Sequence, residues 1–301
     1  MAFLRQDVPG QAPGFYRSRV GAVLVTAIGD GFASRPVAGF VRNADDAAVA
    51  AALRAAFLPQ DAVPIPFTTL ALETEGRLVL VDVGNGDAGA PTSGAWMANF
   101  RAAGYRPEDV DTILISHFHG DHVNGLRLSS GVAVFPQARI RVPRAEWDFW
   151  MDDARMAAAP EAQAPAFRNV RRVFGPMRDG AEPAPEPFDP GEELLPGVTA
   201  IAAPGHTPGH TAFRIASEGD TLLALSDVTN HPALFVRHPG WRAVFDMDPE
   251  RAEATRRRLL GEAADTRTRI ALYHAPFPAM GHVARADDGF AFVPAQWSHV
   301  V

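Results

Sequence analysis

The chain has 301 residues, 47% hydrophobic and 21% charged, a composition of folded proteins with room for one large α/β domain. It contains no cysteine, so disulfides and thiolate metal sites are excluded, and any metal must be held by His, Asp or Glu. All 28 basic residues are arginine, which removes lysine Schiff-base and P-loop chemistry. The net charge of −7 argues against a nucleic-acid partner, whose phosphates need a basic face.

Residues 1–20, rich in Gly and Pro, read as an N-terminal arm rather than a core element. They lack the long apolar run of a signal peptide, and no stretch reaches the ~18 apolar residues of a spanning helix. A soluble cytoplasmic chain without a membrane partner is therefore expected. Residues 20–28 (VGAVLVTAI) form a strand candidate. Residues 44–58 read as a helix, with Asn43 as its cap and Pro59 as its stop. Two strand-like runs, 67–73 and 77–83, flank Glu75-Gly76, a hairpin signal. A helix over 93–103 and a buried strand over 110–115 (VDTILI) follow.

Short strands are expected at 132–134 and 139–142, helices at 145–158 and 164–174, and a Pro-rich surface loop at 180–190. Further strands are expected at 198–202, 211–215, 221–225 and 269–273, with a helix over 249–260. On that helix Arg256, Arg257 and Arg258 read as a solvated face. Two β-rich groups interleaved with helices predict one domain over 1–301, a four-layer αββα sandwich of two mixed sheets with helices outside. The hairpin signals weigh against the alternative, a doubly wound parallel sheet.

His117, His119 and His122 fall within six residues, with Asp121 among them, directly after the strand over 110–115. A single histidine is ordinarily satisfied in a core or on a surface. Four potential ligands in H-x-H-x-D-H spacing are different, because packed neutral imidazoles each need a partner. The spacing turns His117 and His119 one way and Asp121 and His122 the other, toward two adjacent metals.

With this motif the chain resembles the metallo-β-lactamase superfamily, and the resemblance supplies further landmarks. Asp82, in Leu80-Val81-Asp82-Val83-Gly84, takes the place of a residue that orients a ligand. His206, in Gly205-His206-Thr207-Pro208-Gly209-His210, takes that of a third histidine ligand, leaving His210 in a supporting or packing role. Asp227 and His274 take those of the bridging aspartate and the last histidine. The resemblance implies one ion on His117, His119 and His206, another on Asp121, His122 and His274, and Asp227 between them. Such a pair bridges a water and lowers its pKa, so that hydroxide attacks the substrate. Asp121 then has two roles, ligand and acceptor for that nucleophile, and Asp227 shares the catalytic centre. The ligand set favours Zn²⁺, with Mn²⁺, Co²⁺ and Fe²⁺ compatible by ligand type.

Residues 102–111, 274–282 and 289–294 are similar to the branch containing methyl parathion hydrolase and related lactonases. The branch implies an ester or lactone as substrate, phosphotriester cleavage as the alternative, and a homodimer as the assembly. The aromatic residues suggest an apolar pocket for a small, fairly hydrophobic substrate. Trp147, Phe149 and Trp150 lie on the helix after the metal loop, where the branch places a substrate-contacting tryptophan near Trp150, and Phe277 follows the last ligand closely. The alternative is that they are core. Acyl-homoserine lactonases commonly carry a tyrosine shortly after the bridging aspartate. Here Asp227-Val228-Thr229-Asn230-His231 has none, and His231 is the candidate for its hydrogen-bonding role. A more distant reading is a mononuclear iron oxygenase of the persulfide dioxygenase type, using His117, His119 and Asp227 alone.

Overall fold

The computed structural model of the chain describes residues 11–301. One seven-stranded sheet takes its strands in chain order: β1 (Phe15–Val20), β2 (Val23–Pro36), β3 (Ala62–Thr74), β4 (Arg77–Val81), β5 (Val110–Leu114), β6 (Arg139–Pro143) and β7 (Glu186–Phe188). The other does the same with β8 (Glu193–Leu195), β9 (Val198–Ala202), β10 (Thr211–Ser217), β11 (Asp220–Ala224), β12 (Arg269–Ala271), β13 (Met280–Ala286) and β14 (Gly289–Pro294). Both sheets are mixed. Strands β4 to β7 run parallel, as do β11 and β12, and the remaining neighbours are antiparallel. Glu75 and Gly76 turn the β3–β4 hairpin with φ of 50° and 74°, the two-residue turn whose twist matches the strands.

The helices are α1 (Asp46–Ala55), α2 (Trp96–Ala102), α3 (Gly120–Val123), α4 (Arg144–Trp150), α5 (Asp153–Ala158), α6 (Ala164–Arg178) and α7 (Pro249–Thr266). Period-2 alternation assigns the layers. Val79 and Val81 of β4 join Leu114, Phe213, Ile215 and Leu222 in a core shared by the two sheets. Leu78 and Leu80 point the other way, into a core with Trp96 and Phe100 of α2 and Val170, Val173 and Phe174 of α6. Leu259, Leu260 and Ala263 of α7 cover the outer face of the second sheet through Leu223, Ile270 and Val283. The layers therefore run helix, sheet, sheet, helix.

Several local expectations change. Residues 15–20 are not an arm but edge strand β1, paired with β2 through a turn at Gly21-Ala22; residues 1–10 of the expected arm lie outside the described residues. Asp45 rather than Asn43 caps α1, accepting from the Ala48 N–H, while Asn43 reaches across to the backbone of Gly240 and Arg242. The helix expected over 145–158 breaks into α4 and α5, because Asp152 caps a new start by accepting from the Ala154 and Arg155 N–H groups. Residues 132–134 form no strand and make only an isolated bridge, Ala133 with Arg127. The Pro-rich stretch contains β7, and the chain ends in a β13–β14 hairpin.

Candidate metal centre

Each expected ligand, and Asp82 behind them, follows the end of a strand, so the two sheets bring them to one edge of the sandwich. Asp82 follows β4, His117 to His122 follow β5, His206 lies in the turn after β9, Asp227 follows β11 and His274 follows β12. The seven expected ligands fall into two groups. Ligand atoms of His117, His119, His206 and Asp227 lie within 4.8 Å of one another, and so do those of Asp121, His122 and His274.

The outward ring nitrogens are anchored and the inward ones converge. His122 Nδ1 is 2.8 Å from Asp82 Oδ2, His206 Nδ1 is 3.0 Å from Asp246 Oδ1, and His274 Nδ1 donates to the Pro66 carbonyl at 2.8 Å. The opposite nitrogens meet Asp227: His206 Nε2 and His274 Nε2 are 3.2 Å and 3.0 Å from Oδ2, and His122 Nε2 is 3.2 Å from Oδ1. His117 Nε2, His122 Nε2 and Asp227 Oδ1 are buried and lack a hydrogen-bond partner. Buried polar atoms left unpaired are expensive. Several converging on one spot with their ring orientations fixed from behind fit divalent cations, and the nitrogen and oxygen donors fit zinc-like ions.

The protonation of these side chains follows from the same packing. Burial depresses His206, but Asp227 and Asp246 outweigh it and hold the ring at about 9. Burial also opposes charge on Asp227, yet His274 and His122 pull its carboxyl well below the ordinary range. His210 donates from Nδ1 to Ala203 O and accepts the Asp227 N–H at Nε2, using both nitrogens. Burial and then the His206 charge push it down to about 3, so it is a neutral prop for Asp227 rather than a ligand.

Bound ions replace protons at such a site and stabilise the fold by mass action. Stripping the protein with a chelator is expected to lower Tm by about 10 °C, as linkage of a few kcal/mol implies. Adding back zinc should restore it. A melting curve indifferent to both treatments would count against ions at these residues.

Three buried supports escaped the sequence reading. Asp246 carries the charge behind His206 and is itself bonded by Arg256 at 3.1 Å. Arg256 is therefore not part of a solvated face: it is 1% exposed and also bonds the carbonyls of Val228, Pro239 and Trp241. Arg257, paired with Glu253, and Arg258 are the exposed members of that run. Glu146, 0% exposed, accepts from the Phe118 N–H (2.9 Å), the Gly209 N–H (2.7 Å) and Trp150 Nε1 (2.9 Å). It thus ties the His117–His119 segment to the His206 turn. Gly209 permits this approach, since a Cβ there would lie 2.5 Å from the Glu146 nitrogen.

The metal centre opens into a cleft of about 350 Å³, lined by Ala33, Arg35, Ile65 and Phe67 on one side and by Asn85, Ala88 and Ala90 on another, with Asn230 and Phe245. None of the four expected pocket residues lines it. Trp150 is buried against Phe167, and Trp147 meets Phe174, because both face the α6 side of α4. His231 accepts the Ala233 N–H at the start of the Pro232–Val236 turn; burial and then the His274 charge hold it at about 4. Phe277 is 44% exposed and packs over Gly29.

Residues 67–274 match the profile of the Metallo-beta-lactamase superfamily, and the chain belongs to that superfamily. An N-acyl homoserine lactonase from Bacillus sp is 27% identical over 188 residues, spanning 56% of this chain and 66% of that protein. A probable metallo-hydrolase of Mycobacterium tuberculosis is 29% identical over 191 residues, spanning 54% of this chain and 56% of the relative. The chain thus matches less than two thirds of the length of either. Among solved structures, the hydrolase AbOPH of the beta lactamase superfamily aligns with a TM-score of 0.89 at 27% identity, covering 96% of this chain and 100% of that one. AidC, a dizinc quorum-quenching lactonase solved with its N-hexanoyl-L-homoserine product, aligns with a TM-score of 0.88 at 25% identity, covering 95% and 99%.

Proposed function

We propose that the protein is a two-metal hydrolase, with zinc the favoured ion, that cleaves a small, fairly hydrophobic carboxylic ester or lactone. The observation that carries this reading is the convergence of seven ligand-type side chains, with buried and unpartnered His117 Nε2, His122 Nε2 and Asp227 Oδ1, beneath an open cleft. Two divalent ions held there supply a Lewis acid for the scissile oxygen and a water acidified to serve as nucleophile.

The chain's own groups do the rest. Asp121, 24% exposed and facing the cleft, offers its carboxylate to the proton of the attacking water. Asn230 lines the same space and keeps a buried side-chain oxygen without a protein partner, and Ile65, Phe67 and Phe245 form an apolar surface for the acyl or alcohol portion. Ser116 and Ser226 serve no nucleophilic role: Ser226 Oγ donates to Ser116 Oγ, which donates to Asp82. The lactonases among the relatives and structural neighbours support the substrate class.

Aryl acetate, γ-lactone and paraoxon-type substrates assayed side by side test the proposal. Turnover of the first two is expected, paraoxon cleavage would favour the phosphotriester reading, and inactivity on all three would refute hydrolysis of these bonds. Metal analysis that found one iron per chain would instead favour an oxygenase. His119→Ala is expected to lower kcat/KM by at least about 10³-fold, more than losing a residue that only supports a ligand, and to lower bound metal while circular dichroism stays unchanged. Full activity in that variant would remove His119 from the site.

A further inference from the structure

We propose that the cleft selects esters or lactones carrying an anionic group at the far end of an apolar segment, and that Arg35 binds that group. The proposal rests on the hydrolase reading above and names its substrate class. Strands β2 and β3 pair Gly31 with Phe67, Ala33 with Ile65 and Arg35 with Val63, so these residues share one face of the ribbon. At the inner end the Phe67 ring lies 5.5 Å from the His274 ring, against the metal centre. Arg35 lies four positions along the antiparallel strand from Gly31, which sets it about 13 Å further out. Ala33, Ile65 and Phe67 line the interval with apolar surface, and Arg35 ends it.

Arg35 is exposed and, among the described residues, its guanidinium has neither an ion pair nor a hydrogen bond. Arg42 and Arg242, by contrast, are engaged: Arg42 donates to the Val244 carbonyl, and Arg242 meets Glu250 and Glu253. The acidic residues that line the cleft are Asp121 and Asp227, both in the ligand groups. Among the described residues, then, no carboxylate outside the ligand groups lines the cleft to compete for the guanidinium, whose planar fork suits a carboxylate. The carboxylate created by hydrolysis forms at the metal end, so Arg35 reads a second, pre-existing anion. In the reaction the acyl C–O bond breaks and the water oxygen bonds to the acyl carbon. One water proton passes to the alkoxide and the other to solvent.

The test compares 4-nitrophenyl hydrogen suberate with its neutral partner, 4-nitrophenyl methyl suberate, on the metal-loaded protein. Wild type is expected to prefer the anionic ester by about fivefold in kcat/KM, the scale of one exposed ion pair, mainly through KM. Arg35→Gln should abolish that preference, and Arg35→Glu should invert it. No preference in wild type, or a preference that survives Arg35→Gln, overturns the proposal. If neither ester turns over, the hydrolase reading fails separately. Calorimetric titration with suberic acid monoanilide then decides on Arg35. Binding that Arg35→Gln weakens supports the assignment; no binding, or equal binding by both proteins, overturns it.

Discussion

Asp227→Asn is expected to lower kcat/KM by at least about 10³-fold and to halve the metal content, an effect beyond the roughly 10–100-fold loss seen when only a ligand's support is removed. Asp227 Oδ2 lies 3.2 Å from His206 Nε2 in one ligand group and 3.0 Å from His274 Nε2 in the other. Its Oδ1 lies 3.2 Å from His122 Nε2, and His117 Nε2 is 3.9 Å from Oδ2. One carboxylate thus touches both groups, and among the described residues no other carboxylate lies within 4.0 Å of histidines from both. Asparagine fills the same volume but removes the negative charge and turns N–H donors toward atoms that should face a cation. The backbone should hold, because the Asp227 N–H is fixed by His210 Nε2. Metal stoichiometry and steady-state kinetics on the same preparation check the result; undiminished metal with near-native turnover would exclude Asp227 as the bridge.

What the chain's sequence made readable follows from how local each contact is. The His117–His122 segment announces itself because four ligand-type side chains sit in one short loop. His206, Asp227 and His274 are each isolated in sequence, and only a family resemblance singled them out. Asp246 and Arg256 had no such signal: Asp246 meets His206 across 40 positions, and Arg256 sits in a run of arginines whose other members are exposed. Strands β4 and β5 were legible because burial makes them near-continuous apolar runs. β1 and β14 are edge strands with mixed, partly exposed side chains, and their identity depends on the neighbour that pairs with them. The aromatic residues beside the motif misled for a related reason. Trp147 and Trp150 share a helical face, and that face turns to the α6 core rather than to the cleft.

Glu146→Ala is expected to destabilise the protein by about 3–5 kcal/mol, the scale of removing one partner from a buried charged network. The loss should appear as a fall in Tm of roughly 10 °C. The substitution leaves the Phe118 N–H, the Gly209 N–H and the Trp150 indole N–H buried without their acceptor. It also removes the only side chain, among the described residues, that bonds to the backbone of both the His117–His119 segment and the His206 turn. Those segments come from different sheets, so their separation controls how well His117, His119 and His206 share one ion. Glu146→Gln keeps one side-chain oxygen but sets an N–H against an N–H, and should fall between wild type and alanine. Its signature should be positional: activity at low zinc falls by about 10–100-fold, while saturating zinc restores most of kcat. A group acting on substrate would instead leave kcat low at every zinc concentration. Glu146→Ala with native melting and native zinc affinity would show that the loops are held by strand packing alone, without the carboxylate that now joins them.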